Sequence, residues 1–146
     1  MTISSTDPSQ PVSNRAPDKF IDYEQRPDGI HVFHFFSVRP EGVTEWARHM
    51  DDIIEATGDS GMILQMLDVA HGVAPMANML GEIRSLVARH NYHPSSRVAV
   101  LDTSTISSAI LKALLPLLPV RDVKIRYFGL TEQDNAVAWL LAHISR

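Results

Sequence analysis

Apolar and polar positions alternate over Phe20-Ile21-Asp22-Tyr23-Glu24, the two-residue period of a half-buried strand. Arg26-Pro27-Asp28-Gly29 then reads as a turn, because Pro presets φ, Asp bonds its own backbone and Gly closes the reversal. Ile30 to Ser37 (IHVFHFFS) is β-branched and aromatic, so it predicts a second strand. So short a turn between two such runs makes them an antiparallel hairpin.

From Pro40 the period changes. Val43, Trp46, Ala47, Met50, Ile53 and Ile54 recur at helical spacing, with Glu45, Arg48, Asp52 and Glu55 on the other side and Gly58 as the stop. Gly61 to Val69 (GMILQMLDV) is nearly all apolar, the signature of a strand buried on both faces. Pro75 opens a second helix, along which Met76, Met79, Leu80, Ile83, Val87 and His90 trace one stripe. Arg97 to Leu101 is another short buried strand. Residues 104–118 predict a third helix, bent near Pro116. Val123 to Phe128 alternates as a strand. Thr131 is the expected cap of a last helix, with Ala136, Val137, Leu140, Leu141 and Ile144 on its apolar side. The order β-β-α-β-α-β-α-β-α implies one mixed, mostly parallel α/β sheet. Its N-terminal hairpin is antiparallel, its helices pack on the sheet and its crossovers are right-handed.

Residues 1–19 are expected to be a disordered tail ahead of a domain over 20–146. They are rich in Ser, Thr, Pro, Asp, Asn and Gln, with too little apolar surface to offset the entropy of ordering. They also lack the apolar run of a secretory signal, and no stretch of the chain reaches the ~20 apolar residues of a membrane span. A cytoplasmic protein, at most peripheral to a membrane, is the expectation. The absence of cysteine excludes disulfides, thiolate metal sites and a cysteine nucleophile. The formal net charge of −4 argues against nucleic acid. That charge is uneven: residues 1–83 carry a net −8 and residues 84–126 a net +5. Such asymmetry can draw anions to one face, although solvated helix faces are the plainer reading.

The chain resembles STAS domains, and within them the SpoIIAA-like family. The element order carries the resemblance, together with the strand Val123-Lys124-Ile125-Arg126-Tyr127-Phe128 and the helix Ala136-Val137-Ala138-Trp139-Leu140 that follows it. This resemblance implies a bacterial regulatory domain without enzymatic activity or cofactor. Anti-sigma antagonists of the wider family are switched by phosphorylation of a Ser or Thr between the third strand and the next helix. Here the corresponding stretch, Asp68 to Asn78, contains no hydroxyl residue. The SpoIIAA-like branch implies binding of apolar ligands or membranes.

Candidate chemistry concentrates in residues 102–118. Thr103, Ser104, Thr105, Ser107 and Ser108 fall where helix N–H groups are free, an arrangement suited to an anion. Behind them Ile106, Ile110, Ala113, Leu114 and Leu117 form one apolar stripe, and Leu111, Leu115 and Leu118 a second. One stripe meets the sheet; the other needs a neighbour, a ligand, a partner or lipid. Met76 and Met79 are adaptable enough to line the opposite wall, although methionine more often fills core gaps. The expected ligand site is therefore Thr103, Ser104, Thr105, Leu111, Leu115, Leu118, Met76 and Met79. The ligand would be an apolar or amphipathic small molecule or a lipid. A protein partner, a peripheral membrane contact and a homodimer remain open.

No metal is expected, since His31 and His34 point to opposite faces of a strand and no His-x-x-x-His pattern occurs. Gly-x-Ser-x-Gly, the P-loop and GxGxxG are all missing. A hydrolase would have to use Asp68, His71 and Asp102 at strand ends, where Asp more often makes turns.

Overall fold

In the hairpin, Gly29 adopts φ 92°, the left-handed region that a side chain resists. Its N–H closes the turn on the Arg26 carbonyl at 2.9 Å. The computed structural model describes residues 18–71, 76–91, 94–102 and 123–142. Strands β1 (Ile21–Gln25) and β2 (His31–Phe35) flank that turn and pair antiparallel. Then follow helix α1 (Pro40–Thr57), strand β3 (Met62–Asp68), helix α2 (Met76–Arg89), strand β4 (Ser95–Leu101), strand β5 (Val123–Phe128) and helix α3 (Gln133–Leu141). The sheet order is β1-β2-β3-β4-β5, with every pair after the first parallel. The expected mixed α/β sheet is thus present. The residues expected to form a helix at 104–118 lie outside the described ones, as do the 1–17 part of the tail and Ile144.

The strands bury both faces, so two cores form. Ile21, Phe33, Phe35, Ile63, Leu67, Val98 and Val100 meet Val43, Trp46 and Met50 of α1 and Leu86 of α2. On the reverse face, Val32, Leu64, Met66, Ala99, Leu101 and Phe128 meet Ala136 and Leu140 of α3. That α1 and α2 share a face is what two crossovers of one hand moving the same way across the sheet produce. Trp46 Nε1 donates to Gln65 Oε1 at 3.3 Å, which satisfies both buried polar groups.

Three local expectations are corrected by packing. Glu45, assigned by periodicity to the polar side of α1, is only 7% exposed. Its carboxylate accepts the backbone N–H groups of Lys19 and Phe20, each at 2.8 Å. Among the described side chains of α2 the buried one is Leu86, outside the expected stripe, with Met79 and Ile83 of that stripe packed beside it. Thr131 does not cap the last helix. It lies within a 3-10 turn, Leu130–Glu132, and the Glu132 side chain accepts the Gly129 N–H at 2.7 Å.

Candidate functional site

Parallel strands end together, and their carboxyl rim is where α/β sheets gather loops and ligands. Here the rim comprises the exits of β2, β3, β4 and β5. Register places His34 beside Asp68, and His34 Nδ1 lies 2.9 Å from Asp68 Oδ2. The other carboxylate oxygen, Oδ1, accepts the Ala70 N–H at 3.1 Å, so Asp68 also makes the turn that leaves β3. Val69 extends the ladder by donating to the Leu101 carbonyl, and Asp102 does so by donating to Phe128.

The exit of β2 is apolar. Phe36 and Val38 are 49% and 63% exposed. The Phe36 N–H donates to the Phe20 carbonyl at 3.0 Å, and the Arg39 guanidinium stands 5.5 Å over the Phe20 ring while pairing with Glu41. The rim therefore combines a His–Asp pair with exposed apolar side chains.

The hydrolase arrangement is not assembled. Asp68 takes His34 as its partner, and His71 is exposed on the turn. Asp102 acts instead on Tyr127, which packs against the α1–α2 side of the sheet. Burial, reinforced by Asp102, pushes the Tyr127 phenol up to about 12.

Of the expected ligand residues, Met79 is half-buried and packs into the α1–α2 core, and Met76 is the first residue of α2. Thr103, Ser104, Thr105, Leu111, Leu115 and Leu118 lie outside the described residues. Two cations of the basic segment are already used. Arg89 makes a two-nitrogen contact with Asp51. Arg97, 7% exposed, donates to the Trp139 carbonyl at 2.8 Å and lies 5.3 Å over the Trp139 ring. There it offsets the negative end of α3.

Sequence reasoning missed three features. A groove of about 440 Å³ beside β5 and α3 is lined by Arg126, Phe128, Glu132, Asn135, Ala138 and Trp139. The Phe and Trp of the final strand–helix motif meet there, their ring centroids 6.1 Å apart. A second cluster joins α1 to the hairpin: His49 Nε2 donates to Asp18 at 2.6 Å, and Tyr23 packs on His49 while sharing a 2.7 Å hydrogen bond with His31. Burial holds the His31 imidazole below its ordinary value and pushes the Tyr23 phenol up, with Asp52 adding to the latter.

The third cluster joins α1 to the end of α2. His90 places Nε2 2.7 Å from Asp51 Oδ1 and Nδ1 2.6 Å from Glu55 Oε2. Among the described residues, no three His, Asp or Glu side chains are grouped to hold a metal ion. Nor is any helix among them long and apolar enough to cross a membrane. Comparison with curated proteins finds no match, and comparison with solved structures finds none. Residues 33–141, more than half of the chain, match the family model described as SpoIIAA-like.

Proposed function

The chain belongs to the SpoIIAA-like family, and on that footing we propose that it is a non-enzymatic, STAS-type regulatory module. It binds an apolar or amphipathic small molecule, or reversibly a membrane surface, at the carboxyl rim of its sheet. The observation that carries this reading is the exposure of Phe36 and Val38 where β2 leaves the sheet. By chain continuity Asp102 leads from the same rim into Thr103, Ser104 and Thr105, whose hydroxyls suit an anionic head group. Leu111, Leu115 and Leu118 follow as acceptors of a tail. Native mass spectrometry of protein purified from cells, followed by displacement of a fluorescent fatty acid, tests the reading. Co-purified lipid and weaker binding by Ser104→Asp and Phe36→Ser are expected. Equal affinity in wild type and both variants overturns it.

One observation favours a second reading, a phosphorylation-independent protein-interaction module of anti-sigma-antagonist type. STAS-type domains commonly mediate protein interactions. The segment Asp68 to Asn78, which includes the whole connection from β3 to α2, carries no hydroxyl residue. On either reading residues 68–85 hold no phosphoswitch. Peptide mapping after incubation with a cognate kinase checks that; phosphate at Ser85 with altered partner binding contradicts it.

A further inference from the structure

Both ring nitrogens of His90 face carboxylates, and a carboxylate only accepts hydrogen bonds. A neutral imidazole has one N–H, so it can satisfy one of the two contacts and turns a lone pair towards the other. Only the imidazolium satisfies both. We propose that His90 is a proton-operated clamp: charged, it ties the end of α2 to Asp51 and Glu55 of α1; neutral, it lets go of Glu55.

The charged groups that face the ring are Asp51 and Glu55 from α1, and Arg89 from α2 by way of Asp51. Asp51 and Glu55 are four residues apart on one helix, a repulsive pair that needs a cation between them. Arg89 holds Asp51 with two nitrogens. Glu55 has more freedom, with its side chain 56% exposed, and it is the partner that leaves. The His90 side chain is 8% exposed, while its contact with Glu55 lies open to solvent. Burial alone would lower the imidazole, but the hydrogen bonds and charges of Asp51 and Glu55 outweigh it, and the group sits above its ordinary value. A raised histidine stabilises the fold fully below its unfolded value of ~6.5, and this contribution is lost as pH rises through the higher folded value. The clamp thus opens on the alkaline side, at the last turn of α2 before the chain enters β4.

Thermal stability alone is a blurred readout, because His31 is shifted the opposite way. Residue-resolved NMR of the full chain avoids this. Below its midpoint His90 should show two protonated ring nitrogens, and its midpoint should exceed ~6.5. Glu55→Gln should lower the ratio of charged to neutral His90 at fixed pH by roughly threefold, and Asp51→Asn should lower it further. Above the midpoint, amide exchange at the end of α2, corrected for intrinsic rates, should speed up in wild type and be pH-independent in His90→Gln. If a variant fails to fold, the wild-type titration and Glu55→Gln decide. A His90 midpoint at or below that of unstructured histidine overturns the clamp, as does a midpoint unmoved by Glu55→Gln.

Discussion

At the residue scale, the informative groups are charges that the fold has pulled inward. Glu45 receives two backbone N–H groups that β1 cannot use, and so fixes the point where the chain enters the sheet. Hydrogen bonds to a charged acceptor are worth ~1.5–3 kcal/mol each, and truncation leaves the buried donors unmet. Glu45→Ala should therefore cost about 2–4 kcal/mol in urea denaturation, with faster amide exchange at Phe20. Tyr127 is the opposite case. Its buried hydroxyl has no hydrogen-bond partner among the described residues. Tyr127→Phe should thus alter stability by less than ~1 kcal/mol. The same change should delete the ultraviolet titration step near the value of about 12. Because that phenol is raised in the folded state, its neutral form stabilises the protein below the unfolded value, and the benefit disappears as pH climbs through the folded one.

At the element scale, two glycines separate conformational need from mere presence. Gly58 ends α1 with φ 68°, and its N–H reaches the Ile54 carbonyl at 3.0 Å. Gly81 lies inside α2, and a Cβ there meets nothing within 4 Å. Gly58→Ala should lose about 1 kcal/mol or more, while Gly81→Ala should gain roughly 0.5–1 kcal/mol. Thermal melts of the two variants should move in opposite directions. Helix α3 tests packing in the same way. Leu140 is fully buried on the reverse face, so Leu140→Ala should cost ~2–5 kcal/mol, as a cavity in a close-packed core does.

At the scale of the whole molecule, the sheet is held between unlike layers, with α1 and α2 on one side and α3 on the other. The segment before β1 belongs to this assembly. Asp18 and Lys19, which composition groups with the tail, touch His49 and Glu45 of α1. Removing residues 1–20 should lower the melting temperature well below that of a protein lacking only residues 1–17. The difference is measurable by calorimetry, and equal melting temperatures would show that these contacts contribute nothing.

The sequence by itself determined what local periodicity encodes. Alternation marked β1, a β-branched and aromatic run marked β2, a nearly all apolar run marked β3 as central, and the 3.6-residue repeat marked α1 from Pro40 to the stop at Gly58. The Phe and Ala-x-x-Trp-Leu motif was legible as packing, since Phe128, Ala136 and Leu140 are all buried around it. Tertiary structure alone decided the partners of the charges. Glu45 reads as a polar-face residue until the segment entering β1 brings two N–H groups against it. His90 reads as part of a stripe until α2 docks beside Asp51 and Glu55. Asp68 reads as a turn residue, which it is through Ala70, but its second partner appears only when parallel register delivers His34. The physical reason is separation along the chain. Burial of an apolar face follows from neighbours three or four residues away, which the sequence displays. A polar contact between residues 34 to 39 apart depends on strand order and helix docking, which arise only when the whole sheet closes on both its cores.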